Sequence, residues 1–126
     1  MRLRTLTIGG AALLSATFVA QAAPPAAAPA QPAAFAQCRV CHSVTKGGRP
    51  GIGPNLFGSF GAIAGTRPGF AYSPAMKASK IRWDRAKLDA YLANPRGVVP
   101  GTKMVFTGVK DPAVRKAVID YLAGLK

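Results

Sequence analysis

The sequence contains few of the side chains from which redox and metal sites are usually built. Its 126 residues include two cysteines, one histidine and four acidic residues, none of them glutamate. A structural zinc site takes four ligands from cysteine, histidine or carboxylate side chains. The only cysteines and the only histidine, Cys38, Cys41 and His42, stand together in the stretch CRVCH. Three ligands crowded into five residues disfavour a zinc site, so this stretch needs another explanation.

Alternation of apolar and polar residues, the pattern of a β-strand, is also absent. A thioredoxin-like redox pair lies where a strand meets a helix, which disfavours that role for Cys38 and Cys41. A simple disulfide between them is the plainest alternative. The remaining interpretation is covalent haem attachment, in which the two thiols bind the vinyl groups and the adjacent His42 faces the iron. The motif alone is only moderately specific, and it requires a second iron ligand elsewhere in the chain.

A long apolar run is missing as well. The N-terminal run from Leu6 to Ala20 is about 15 residues long, whereas a membrane-spanning helix needs about 20. It follows the basic start MRLR and precedes Ala20-Gln21-Ala22, a small-x-small cleavage pattern. We therefore predict a secretory signal peptide over residues 1–22, cleaved near Ala22-Ala23, and a periplasmic protein. A membrane-anchored form is the alternative if the signal is retained.

The shortage of acidic residues gives the chain a net charge of +13. Without Arg2 and Arg4, 15 basic residues face four acidic ones, which leaves a net charge of +11. Such a field attracts acidic surfaces and speeds encounter with them. The basic residues are dispersed, with no run that would follow a phosphate backbone, so nucleic acid is not the expected partner. We expect an acidic protein or an anionic membrane face instead.

The rest of the chain divides into a spacer and one small domain. Residues 23–33 form an Ala/Pro-rich spacer, and residues 34–126 form the domain. Its glycines and prolines predict long loops between about four helices, an all-α fold that needs a staple such as a cofactor. The predicted helices pass through FAQCRVCH, run from Ser73-Pro74 to about Ser79, run from Asp84 to Asn94-Pro95, and follow Asp111-Pro112 along the apolar stripe Val114, Val118, Tyr121, Leu122 and Leu125.

From about Phe35 to its C-terminus, the chain resembles the class I cytochromes c, in particular short bacterial members of the c2 type that are similar to mitochondrial cytochrome c. The motifs CRVCH, GPNL, YLANP and PGTKM occur in the order and near the spacing of that family. The resemblance implies a small all-α fold wrapped around one haem c. It also implies thioether bonds at Cys38 and Cys41, with His42 as an axial iron ligand.

The resemblance makes Met104 of PGTKM the ligand opposite His42. A thioether is a soft, neutral ligand that raises the potential of the iron. The competitor Met76 belongs to a predicted helix, where methionine is more often core filler. The resemblance gives further roles to Pro54, which accepts a hydrogen bond from His42, to Tyr72 and Trp83 near a buried propionate, to Tyr91 and Thr102 on the methionine side, and to Phe106 at the haem edge.

Two positions depart from the family pattern. Ala62 stands where many relatives have an arginine near a propionate, so that compensating charge has to come from elsewhere or be missing. Met76 stands where an asparagine is common, which alters the polar network beside the haem. Neither change affects the expected iron ligands, but both bear on the reduction potential.

With both axial positions filled by His42 and Met104, the expected function is one-electron transfer without enzymatic activity. The predicted protein is a monomeric carrier between a bc1-type donor complex and a terminal oxidase. Alternatives are an electron acceptor for a periplasmic dehydrogenase, or a haem enzyme or ligand sensor with a displaceable methionine. The residues predicted to dock acidic partners are Arg49, Arg96, Lys103 and Lys110.

Overall fold

The structure is a computed structural model that describes residues 20–23 and 29–126. The predicted signal peptide lies almost entirely outside the described residues, as do residues 24–28 of the predicted spacer. Across the described ranges there are five α-helices and a single isolated β-bridge, between Ile63 and Arg82, so the predicted all-α fold is confirmed. The helices are α1 (Ala36–Arg39), α2 (Pro74–Ser79), α3 (Arg85–Ala93), α4 (Pro95–Val98) and α5 (Pro112–Gly124).

Three helices begin at the predicted caps. The Ser73 hydroxyl accepts a hydrogen bond of 3.1 Å from the Met76 amide at the start of α2. The Asp84 carboxylate accepts one of 2.8 Å from the Lys87 amide at the start of α3. The Asp111 carboxylate accepts two bonds at the start of α5. Each cap satisfies backbone N–H groups that have no partner inside the helix, which is why these residue types fix the helix starts.

The sequence pattern missed helix α4. Asn94-Pro95 ends α3 as predicted, but the same pair also starts the four-residue helix that follows. The Asn94 side chain accepts a 3.1 Å hydrogen bond from the Gly97 amide, and Pro95 provides the fixed φ suited to a first helical position. The short helical turn predicted through FAQCRVCH is present. It consists of a 3-10 turn over Ala33–Phe35 followed by α1.

The larger core cluster joins the N-terminal turn to α3 and α5. Phe35 is completely buried, and its ring meets the Tyr121 ring edge-on with centroids 4.7 Å apart. The other buried members are Leu88 and Leu92 from α3, with Val118, Ile119, Leu122 and Leu125 from the C-terminal segment. This contact holds the turn before the CRVCH stretch, which begins three residues after Phe35, against the last helix.

The segment just before the first helix also contacts α5. Pro29 packs so closely on Gly124 that any side chain there would overlap the proline ring. Arg39 donates a 3.1 Å hydrogen bond to the Gln31 side chain. The last residues of the predicted spacer are therefore held on the domain surface. None of the helices described is both long and apolar enough to cross a bilayer.

We expect the substitution Phe35→Ala to lower the free energy of unfolding by about 3–5 kcal/mol, because it leaves a cavity between the N-terminal 3-10 turn and α5. Phe35→Leu keeps most of the buried volume and should cost less than about 1.5 kcal/mol. Guanidinium unfolding of the haem-loaded protein measures both values. Equal costs for the two variants would contradict the proposed packing role.

Candidate cofactor site

An apolar cavity of about 410 Å³ is lined by residues of the long loops and of helices α1, α2, α3 and α5. Its volume is in the range of cofactor pockets. All ten residues that the sequence predicted for the site line this cavity: Cys38, Cys41, His42, Pro54, Tyr72, Trp83, Tyr91, Thr102, Met104 and Phe106.

The CRVCH stretch forms one wall as a continuous helical turn. The Cys38 carbonyl accepts hydrogen bonds from the Cys41 amide at 3.1 Å and from the His42 amide at 2.9 Å. The turn brings both cysteines to the cavity lining, where they are half-buried and not joined in a disulfide. Burial raises the pKa of the Cys38 thiol, an effect that the charge of Cys41 reinforces and a backbone hydrogen bond opposes. The pair is therefore available for two covalent bonds to one bound group.

The His42 ring is held in one orientation. Its Nδ1 lies 2.7 Å from the Pro54 carbonyl oxygen, which can only accept, so Nδ1 carries the proton and Nε2 has a free lone pair. Burial lowers the pKa of His42, although the Pro54 carbonyl opposes that shift. A Cβ on Gly53 would lie 2.5 Å from ring atom Cε1, so only glycine leaves room for the imidazole. The result is a neutral imidazole suited to bind a metal.

Met104 belongs to a different wall of the cavity, on the loop after α4. The Thr102 hydroxyl accepts a 3.2 Å hydrogen bond from the Met104 amide and lies 3.0 Å from the Tyr91 hydroxyl. Burial raises the pKa of Tyr91, so its neutral hydroxyl is available for this network. Lys103 Nζ donates a 2.9 Å bond to the Ala71 carbonyl, which ties the loop to the segment before α2. These bonds hold the methionine loop in place.

The competing methionine has a different environment. Met76 lines the cavity from α2, but it is 8% exposed and belongs to the second core cluster with Ala64, Tyr91 and Val99. That packing agrees with the predicted role as core filler. Met104 is only partly buried and packs at the edge of the same cluster.

The cavity wall also carries a cation that the sequence pattern did not single out. Arg67 lines the cavity beside Tyr72, and its Nη2 donates a hydrogen bond to the Phe57 carbonyl. Its Nε is buried and has no hydrogen-bond partner among the described residues. Arg67 lies in the loop sequence TRPGF, where an arginine is normally a surface charge. The sequence contains one signal for Arg67. Ala62 lacks the charge that many relatives have at that position, and Arg67 is the first basic residue after it.

The predicted docking cations are spread more widely than the cavity. Lys103 lines it, whereas Arg49, Arg96 and Lys110 are not among its lining residues. The Lys110 ammonium donates hydrogen bonds to the Ala93 carbonyl at the end of α3 and to the Thr107 carbonyl in the loop before α5. Three large apolar side chains on the cavity lining are strongly exposed, namely Val40, Ile52 and Val105.

Comparison with known proteins gives several close relatives. Cytochrome c2 of Rhodomicrobium vannielii is 55% identical over 89 residues, which is 71% of each chain. Cytochrome c2 iso-2 of Magnetospirillum fulvum is 50% identical over 94 residues, 75% of this chain and 97% of that one. The solved structure of cytochrome cH from Methylobacterium extorquens matches with a TM-score of 0.68 and 46% identity, over 71% of this chain and 90% of that one.

The chain belongs to the class I cytochromes c. No protein-family model matches it. Membership makes the chain a c-type cytochrome, an electron carrier with covalently bound haem c. It confirms the predicted fold and cofactor, while the roles of individual site residues remain predictions.

The residues present fit a haem c. The cavity offers two free thiols, a neutral imidazole with a free Nε2, apolar walls and the guanidinium of Arg67. When bound, the haem supplies an iron that cycles between Fe(II) and Fe(III). The cavity residues would surround this group with largely apolar side chains, with Cys38, Cys41 and His42 placed to bind it.

We expect Gly53→Ala to displace the His42 ring and to lower the free energy of unfolding of the haem-loaded cytochrome by about 1–3 kcal/mol. The matched control is Gly47→Asn. Gly47 has a φ of +69°, which asparagine tolerates, and an added Cβ there meets nothing within 4 Å. Guanidinium unfolding followed by haem absorbance compares the two variants. A Gly53→Ala protein as stable as the control would contradict the close contact with His42.

Proposed function

We propose that this cytochrome is a diffusible one-electron carrier of the periplasm, with its haem iron held between His42 and Met104. The observation that carries the proposal is the pairing of these two side chains on one apolar cavity, each fixed by its own hydrogen-bonded loop. A haem with two protein ligands has no open position for substrate or oxygen, so the arrangement favours electron transfer over catalysis. Cys38 and Cys41 would hold the haem by thioether bonds.

The remaining site residues would keep the ligands still during electron transfer. Pro54 orients His42, and the pair Tyr91 and Thr102 holds the Met104 loop. A fixed ligand set limits the rearrangement that accompanies each change of oxidation state. We assign Tyr72 and Trp83 to a propionate and Phe106 to the haem edge, as the family resemblance implies.

The partners we propose are acidic redox proteins, with a bc1-type complex as donor and a terminal oxidase as acceptor. Lys103 and the exposed Val40, Ile52 and Val105 line the cavity, so a partner that reaches the haem edge meets both a cation and apolar surface. Arg49, Arg96 and Lys110 would add to the attraction from a greater distance. A small contact of this kind suits a monomer that docks briefly, and the export signal would be cleaved near Ala22-Ala23.

The test of ligation is the sulfur-to-iron charge-transfer band of the oxidised protein. We expect Met104→Ala to abolish this band and to lower the reduction potential, because a neutral soft ligand is lost. Met76→Ala should keep the band and instead lower the free energy of unfolding by about 2–5 kcal/mol, as expected for a buried methionine. The opposite pattern would transfer the ligand role to Met76.

Rapid binding of carbon monoxide by the reduced native protein would favour a sensor or enzyme.

Two simple measurements on the same preparation test the covalent link and the export. Haem attached by two thioethers stays with the polypeptide in acid–acetone, so loss of colour on extraction would contradict attachment at Cys38 and Cys41. The intact mass of the exported protein distinguishes a chain that begins at Ala23 from one that keeps its signal.

We expect Lys103→Gln to slow electron transfer from a bc1-type complex by about two- to fivefold at low salt, since an exposed charge contributes about 0.2–1 kcal/mol. The difference should vanish at high ionic strength, where the charge is screened. Lys126→Gln removes the same charge from a residue outside the cavity lining and serves as the control. An equal effect of both substitutions would indicate attraction by net charge alone. Lys103 also donates a hydrogen bond to the Ala71 carbonyl. A sulfur-to-iron charge-transfer band that persists in Lys103→Gln would show that loss of this bond has not disturbed the iron ligation.

A further inference from the structure

The side chain of Arg67 has one satisfied edge and one unsatisfied edge. Its Nη2 donates to the Phe57 carbonyl, and this bond anchors the guanidinium against the neighbouring loop. Its Nε is buried without a partner in the part of the chain that the structure describes. A buried N–H without an acceptor is unfavourable, and more so when it carries charge. Nε has no surface open to the cavity, so another nitrogen has to meet a bound group. Nη1 forms no hydrogen bond among the described residues, and it is the nitrogen left for such a contact on a residue that lines the cavity.

The protein itself supplies no anion for Arg67. Its four acidic residues all lie in the described segment from 84 to 120 and are engaged elsewhere. Asp84 and Asp111 cap helices α3 and α5. Asp89 pairs with Arg115, and Asp120 pairs with both Arg85 and Lys116. Arg67 lines the cavity while every carboxylate of the chain is used at other sites, and this favours a negatively charged ligand group beside it.

The surroundings of Arg67 match one end of the proposed haem. Tyr72 lines the same part of the cavity, where burial raises its pKa and the charge and backbone of Arg67 oppose that shift. Tyr72 is also one of the two residues assigned to a propionate. Ala62, where many relatives have an arginine, carries no charge and is not among the lining residues. The loop thus lacks a cation at Ala62 but has one at Arg67, five residues later.

We propose that Arg67 binds a haem propionate through its guanidinium, at Nη1, and supplies the positive charge that Ala62 lacks. The anchored Nη2 presents the free edge of the guanidinium to the carboxylate, so little side-chain freedom is lost on binding. The inference rests on the proposed haem orientation, with a propionate on the Tyr72 and Trp83 side. A cation at this position also disfavours the more positively charged oxidised haem, and it therefore raises the reduction potential.

Arg82 provides a matched control within the same region. It is an exposed arginine whose Nη1 donates a 2.6 Å hydrogen bond to the Gly61 carbonyl, as Arg67 does to Phe57. Both arginines therefore tie two loop segments together, but only Arg67 lines the cavity. The substitutions Arg67→Gln and Arg82→Gln remove the same charge and the same kind of tether. Any effect specific to Arg67 reports on the cavity.

The experiment measures the reduction potential and the propionate bending band in the resonance Raman spectrum of the haem-loaded protein at pH 8. For Arg67→Gln we expect the equilibrium constant for reduction to fall about three- to tenfold, where tenfold is about 59 mV for one electron. The propionate band should shift. Arg82→Gln should change the constant by less than about twofold and leave the band in place, because an exposed charge is screened. Equal potentials and unchanged bands for both variants would make Arg67 a structural tether only.

Two further readouts separate this proposal from the proposed ligation. The sulfur-to-iron charge-transfer band should persist in Arg67→Gln, and its absence from the wild-type protein would contradict Met104 as ligand without bearing on the propionate band. If Arg67→Gln does not accumulate, Arg67→Lys keeps the charge and should retain the wild-type potential with a shifted propionate band. A crystal structure of the wild-type haem protein needs no variant. A separation beyond about 3.5 Å between Arg67 Nη1 and every propionate oxygen would overturn the proposal.

Discussion

The site depends on one hydrogen bond, from His42 Nδ1 to the Pro54 carbonyl. It determines which ring nitrogen carries the proton and therefore which one is free for iron. The loop that provides the carbonyl is itself bound to the motif, since the Gly53 amide donates a 2.9 Å bond to the Cys41 carbonyl. The two cysteines and the histidine thus share one rigid frame. That frame would orient His42 toward a bound iron, and Met104 lines the same cavity from the loop after α4.

Much of the interior of this small domain is given to the cofactor. One core cluster joins Phe35 to α3 and α5, the other surrounds Met76 and Tyr91, and Trp83 packs against both. The cavity lies between them and is lined largely by apolar atoms, so a bound haem completes a core that the side chains leave open. A domain of this size with long loops has little other apolar surface to bury. The covalent attachment therefore serves folding as well as electron transfer.

The sequence predicted those features whose signals are local. The CRVCH spacing identified the attachment turn, and Ser73, Asp84 and Asp111 identified three helix starts, because a cap acts on backbone groups only two or three residues away. Helix α4 is not evident from the sequence because Asn94-Pro95 both ends α3 and starts α4, and a four-residue helix is too short to show a periodic pattern. The role of Arg67 was missed because burial of a loop side chain has no periodic signature. Charges such as Arg96 and Lys110 could be counted from the sequence, but their distance from the cavity depends on tertiary packing.

The contact between Pro29 and Gly124 bears on how the carrier can be attached. Residue 29 lies at the end of α5, and neither of these two residues lines the cavity. A tether joined to residue 29 would begin outside the cavity lining. The same point of attachment would serve a carrier that is free in solution and one that is anchored to a membrane. Placing the attachment point apart from the working face makes the mode of delivery independent of the electron-transfer chemistry.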